Sequence, residues 1–229
     1  MTESRLLTTV RGDQLEAVVA FPAGPGKAPG LVIAPGSSYG KEGPMIVSLF
    51  QQAVAADIAA VRFDWHYTTL GRQPSKDRRK EAEDLESVLS SFCTLSQVDD
   101  RRIVLAGKSL GAAVGYRIFR THPEVAGAVL LTPVFRDDSS GQRNYPDLSQ
   151  ETRPLMILAG NRDPLNKLEV MHNYLGNAGK NVNVTIVDGD HGLNIFRGND
   201  PDRAIANAEN VTAAMEKVVH WLKATLAQR

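Results

Sequence analysis

Ser109, Asp163 and His191 are three side chains whose types and order could do covalent chemistry together. A serine alcohol is a weak nucleophile at neutral pH. It becomes reactive when an imidazole takes its proton and a carboxylate holds that imidazole in the right tautomer. Ser109 lies in Gly107-Lys108-Ser109-Leu110-Gly111, which fits G-x-S-x-G. In that pattern the serine occupies a strained turn from strand to helix, and the flanking glycines let two backbones pass without a Cβ clash. The apolar run "RIVLAG" precedes it and a helix-like stretch follows, as the pattern requires. The N–H of Leu110 and the positive end of the following helix would face a developing anion. The pair Lys108-Ser109 also suggests a phosphate-binding loop, but that loop needs glycine at position 102, where Arg102 stands.

The acid and the base follow in chain order. Asp163 falls in the polar turn after "PLMILAG", and His191 in the turn after "VNVTIVD". His122, His172 and His220 lie in or beside helices, and His66 precedes the serine. Asp188 and Asp190 sit too close to His191 in sequence to orient it and read as turn formers. A second oxyanion donor is expected from the loop after an early strand. The segment "LVIAPGSSYG" supplies it, with Gly36 for close approach and the Ser37 N–H as donor. Ser38, Trp65, His66 and Tyr67 follow early strands and are candidates for the pocket wall.

These positions require a scaffold of alternating strands and helices. "RLLTTV" and "QLEAVVAFP" read as a hairpin turning at Arg11-Gly12-Asp13. "LVIAPG", "IAAVRFD", "RIVLAG", "VAGAVLLTP", "PLMILAG" and "VNVTIVD" read as short strands. Helical spacing runs over residues 44–56, 77–93, 110–120, 165–175 and 203–226. Strands without polar alternation suit a mostly parallel sheet covered on both faces. One α/β domain over residues 1–229 is the expected organisation. Residues 134–153 read as a short polar loop that leaves the site open or lightly covered, which favours small or soluble substrates. The charges of "SKDRRKEAED" mix both signs and read as a solvated face.

The chain has 229 residues, 26 Lys and Arg against 26 Asp and Glu, and one cysteine. Zero net charge argues against nucleic acid or an acidic membrane as an obligatory partner. No run reaches the ~18 apolar residues of a membrane span, and the N-terminus lacks a signal-like stretch, so a cytoplasmic location is expected. Cys93 reads as a small core residue.

Through "APGSSYG", "AAVRFDW", "AGKSLG", "LLTPVF", "AGNRDPL" and "GDHGL", the chain from about Leu31 onward resembles the α/β-hydrolase superfamily, in its compact dienelactone-hydrolase-like branch. The resemblance implies a mostly parallel sheet flanked by helices, an N-terminal antiparallel hairpin and little or no cap. It also implies a Ser109–His191–Asp163 triad with Ser37 and Leu110 as oxyanion donors. Three departures stand out. Pro35 occupies a position that is usually His in the family, and the nucleophile is Ser where dienelactone hydrolases use Cys. Trp65, His66 and Tyr67 replace an Arg-Gly-rich turn. The expected activity is cleavage of a small carboxylic ester, with no cofactor and no metal. The alternative is a non-catalytic scaffold or protein-interaction module on the same fold. Dehalogenation would need a carboxylate where Ser109 stands.

Overall fold

A computed structural model describes residues 2–176, 178–198 and 200–227. The chain opens with β1 (Thr2–Thr8) and β2 (Gln14–Ala20), an antiparallel pair. It continues through β3 (Ala28–Ala34), α1 (Pro44–Ala55), β4 (Ala59–Phe63), α2 (His66–Thr69), α3 (Arg79–Cys93) and β5 (Val98–Lys108). Then come α4 (Leu110–Thr121), β6 (Gly127–Leu131), α5 (Asp138–Asn144), β7 (Leu155–Gly160), α6 (Leu168–Leu175), β8 (Val182–Val187) and α7 (Pro201–Leu226). The strands form one eight-stranded sheet in the order β1-β2-β4-β3-β5-β6-β7-β8. β2 pairs antiparallel with both β1 and β4, and every other neighbouring pair is parallel.

Each apolar strand divides its side chains between two cores, because successive residues point to opposite faces. Val32, Leu105, Leu130 and Ile157 face one core with Leu85 and Phe92 of α3 and Tyr116 and Phe119 of α4. Leu31, Ile33, Val104, Val129 and Leu158 face the other, with Leu49 of α1 and Met215, Val218 and Leu222 of α7. Burial on both sides explains why these strands read as unbroken apolar runs. Among the described residues, no helix is long and apolar enough to cross a membrane.

Four details differ from the sequence reading. β5 starts at Val98, because Ala28 and Pro29 pair with Val98 and Asp99 before a register shift at Pro29/Gly30. α3 starts at Arg79, after Arg78 takes a left-handed φ of 63°. α6 starts at Leu168, since the Asp163 carboxylate accepts the Leu165 N–H at 2.8 Å and Asn166 bridges to Phe135. Residues 134–153 are more than a polar loop. Asp137 caps α5 through the Ser140 N–H at 2.8 Å, and Phe135, Tyr145 and Leu148 are buried. Tyr145 stacks on Phe135 with ring centres 5.0 Å apart and meets Tyr116 edge-on at 5.9 Å.

The charged start of α3 is only partly a solvated face: Lys76, Asp77, Arg79 and Lys80 are exposed, but two of its carboxylates are not. Glu81 and Asp84 are each 1% exposed. Glu81 accepts from the Ser75 N–H and hydroxyl, at 2.8 and 2.5 Å. Arg11, at the hairpin turn, reaches Asp84 at 2.5 Å, Asp13 at 2.8 Å and Glu83, which ties the hairpin to α3. Burial holds the Asp84 carboxyl above its ordinary value, while the His66 N–H and Arg11 pull the other way. Cys93 packs partly buried against the core. Burial pushes its thiol up to about 11, which keeps it in the unreactive form.

Candidate active site

All the candidate groups come from the carboxyl ends of parallel strands, the edge of an open α/β sheet where its loops converge. β5 ends at Lys108, and Ser109 turns the chain with φ 53° and ψ −104° before α4 begins. This left-handed conformation is costly for a residue with a Cβ, by about 1–3 kcal/mol. The Ser109 N–H donates to Leu131 O of β6 at 2.9 Å, which anchors the turn to the neighbouring strand.

The flanking glycines have a steric reason. A Cβ on Gly107 would lie 2.1 Å from Gly111 O. One on Gly111 would lie 2.3 Å from Ala34 O and 2.7 Å from Pro35 O. The start of α4 therefore presses directly on the β3 loop that carries Ser37. Gly111→Ala is expected to destabilise the fold by about 3 kcal/mol, a fall in Tm of roughly 6–12 °C for a chain of this size. Thermal unfolding measures it, and an unchanged Tm would show that the β3 loop yields freely.

Asp163 and His191 meet. The Asp163 side chain is buried, and its Oδ2 lies 2.7 Å from His191 Nδ1. A carboxylate only accepts, so Nδ1–H donates and Nε2 is left with its lone pair exposed. The His191 side chain is 23% exposed. Ser109 Oγ and His191 form no hydrogen bond among the described residues; in ligand-free enzymes such contacts are often long and tighten when substrate binds.

The turns bearing Asp163 and His191 are joined through hydrogen bonds. Arg162 N–H donates to Gly189 O at 2.9 Å, and Asn161 Oδ1 accepts the Gly189 N–H at 3.1 Å. A Cβ on Gly160 would strike Gly189 O at 2.4 Å, so glycine permits this approach. Asp190 shapes the loop around His191 by accepting the N–H groups of Gly192 and Asn194, at 2.7 and 3.0 Å. The loop closes on Leu193, fully buried at a left-handed φ of 60°. Asn161, Gly160 and Leu193 escaped the sequence reading, because their roles depend on a contact between two distant turns.

Leu110 is the first residue of α4, so its N–H lies in the turn that has no acceptor within the helix. Ser37 follows β3 in an exposed loop, and its N–H has no protein acceptor among the described residues. Two aromatic residues brace that loop. Trp65 is fully buried, lies edge-on to Phe63 at 4.8 Å, and donates its indole N–H to Pro35 O at 3.1 Å. The Tyr67 hydroxyl donates to Ser37 O at 3.3 Å, and burial pushes its pKa up to about 12. Ser38 is exposed, with Oγ 3.4 Å from Ser37 Oγ. His66 contacts the hairpin, with Nδ1 3.4 Å from Gln14 O and Nε2 3.4 Å from Asp13.

Lys108 precedes Ser109 and is partly buried. Burial lowers its pKa to about 8, opposed by the charges of Asp163 and Asp190, so it carries its proton at neutral pH. Among the described residues, no cluster of three or more His, Cys, Asp or Glu side chains is arranged to hold a metal ion.

The sheet order, the lone antiparallel strand and the strained serine turn define an α/β-hydrolase fold. The chain belongs to the alpha/beta hydrolase domain family, which matches residues 27–223. Three solved structures share the architecture at low sequence identity. An alpha-beta serine hydrolase homologue from Coxiella burnetii is 20% identical with a TM-score of 0.71, covering 92% of this chain and 96% of its own. The esterase domain of a Rhodothermus marinus protein is 16% identical with a TM-score of 0.73, covering 96% and 97%. The Pyrococcus furiosus esterase Pf2001 is 15% identical with a TM-score of 0.74, covering 97% and 92%. No curated protein matches the sequence.

Proposed function

We propose that the chain, as one domain, is a serine hydrolase that cleaves a small or soluble carboxylic ester through an acyl-enzyme. The observation that carries this reading is the 2.7 Å Asp163–His191 pair, set at the same sheet edge as a serine in a strained turn. The esterases among the structural relatives agree with it.

In this reading Ser109 Oγ attacks the ester carbonyl while His191 Nε2 takes its proton. Asp163 stabilises the imidazolium, and the N–H groups of Leu110 and Ser37 bind the oxyanion. His191 then protonates the departing alcohol. A water deprotonated by the same nitrogen attacks the acyl carbonyl, releases the acid and returns the proton to Ser109. Each oxyanion donor of this kind is worth about 10²–10³ in kcat.

The absence of a direct Ser109–His191 hydrogen bond is the one point in favour of a second reading, a non-catalytic scaffold. A fluorophosphonate probe separates the two. The expected result is a single adduct, located by mass spectrometry on the peptide holding Ser109. Folded protein that stays unlabelled favours the scaffold.

A further inference from the structure

Lys108 sits beside the reactive turn and has no part in the mechanism. Its side chain runs alongside the β3 loop: a Cβ on Gly36 would sit 3.7 Å from Lys108 Cδ and 3.9 Å from Nζ. No hydrogen bond or ion pair holds this ammonium among the described residues. The lysine borders a cavity of about 170 Å³ lined also by Gly36, Tyr39, Met45, Ile46 and Asn194. The cavity therefore lies between the loop that carries Ser37 and the loop that carries His191.

Lys108 is partly buried and its Nζ remains open to solvent, but an ammonium set at a cavity wall without a partner gives up part of its hydration, and a methionine of similar length would fill the same space at lower cost. The charges of Asp163 and Asp190 offset part of the penalty, yet neither makes a direct contact with the lysine. A ligand anion would supply that contact. The rest of the wall fits a short arm carrying such an anion, because Met45 and Ile46 offer apolar surface while Tyr39 and Asn194 offer polar groups. The volume is below the roughly 300–1,000 Å³ of pockets for drug-sized ligands, so long acyl chains do not fit.

Building on the serine hydrolase reading, we propose that Lys108 and this cavity form an anion subsite, and that the substrate is a small ester bearing a carboxylate close to the scissile bond. The carboxylate can belong to the acyl half, as in a hemiester of a short dicarboxylic acid, or to the alcohol half, as in an ester of a short hydroxy acid. Both present the same group to the ammonium.

Binding is measured first by calorimetry on Ser109→Ala, which needs no turnover. The ligands are monomethyl glutarate for the acyl-side arm, acetoxyacetate for the alcohol-side arm and dimethyl glutarate as the neutral reference. One of the anions is expected to bind about 10- to 100-fold more tightly than the neutral diester, the worth of a hydrogen bond to a charged group. Adding Lys108→Met should erase that preference, and adding Lys108→Arg should keep most of it. The anion that binds identifies the half of the ester that carries the charge. Equal binding of all three ligands overturns the subsite, and so does a preference that survives Lys108→Met.

Turnover is the second readout, on an otherwise unmutated enzyme. The ratio of kcat/KM for the p-nitrophenyl hemiester of glutarate to that for p-nitrophenyl pentanoate, matched in acyl length, should fall with Lys108→Met if the acyl-side arm binds. Should acetoxyacetate be the ligand, the ratio for acetoxyacetate against methyl acetate is the one that falls. Equal loss on the charged and neutral esters would make Lys108 a positioning residue and end the proposal. Anion binding that depends on Lys108, in a protein that hydrolyses no ester, would uphold the subsite and sink the hydrolase reading instead.

Discussion

Ser109→Ala is expected to abolish ester hydrolysis, lowering kcat on the order of 10⁴- to 10⁶-fold, while the protein stays folded. Alanine meets the same backbone strain at φ 53° as serine does, so the turn gains no new penalty. The Ser109 N–H still donates to Leu131 O, and the glycine contacts on either side are untouched. What disappears is the oxygen that attacks in the proposed mechanism. The measurement is hydrolysis of short p-nitrophenyl esters by matched preparations, with circular dichroism as the control for folding. Turnover within about ten-fold of the unmutated protein is far outside the range for loss of a nucleophile and would remove Ser109 from the reaction.

Asp163→Asn is expected to have the next largest effect, a fall in kcat of about 10⁴-fold. The amide is nearly the same shape, so its oxygen can still accept the Leu165 N–H now held at 2.8 Å. Its NH₂ group then faces His191 Nδ1. Two donors cannot share that contact, so the imidazole must accept there and carry its proton on Nε2. A protonated Nε2 cannot take the proton of Ser109. Substrate binding should change little, so the loss falls on kcat rather than KM. A loss of less than about ten-fold would mean that the Asp163–His191 contact is structural, since orienting carboxylates act far more strongly than that.

The sequence made the site more legible than its surroundings. Ser109 and Asp163 each stand just beyond an apolar strand that is conspicuous because both faces of the sheet are covered there, while His191 follows the edge strand β8, which is rich in β-branched residues but only partly buried. The hairpin could be read from its Arg11-Gly12-Asp13 turn, and the long last helix from its apolar spacing. Where local pattern and tertiary contact disagree, the reading fell short. The charged run Asp99-Asp100-Arg101-Arg102 gives no hint of a strand, yet Val98 and Asp99 pair with the start of β3. Glu81 and Asp84 look solvated because Arg11, which reaches Asp84, lies far upstream at the hairpin turn. Lys108 stands in plain sight within the motif, but its cavity is assembled from three separate segments. Gly160 gives no local signal, because the backbone it accommodates belongs to the turn of His191.

The bracing of the β3 loop by Trp65 has a practical consequence. The chain has two tryptophans, and the other, Trp221, sits partly buried in α7 on the opposite core. With Trp221→Phe, Trp65 becomes the sole indole emitter, hydrogen-bonded to the segment that leads into Ser37. Its fluorescence then reports the movement of that segment directly. Stopped-flow mixing with a ligand can time the loop's response without an attached dye.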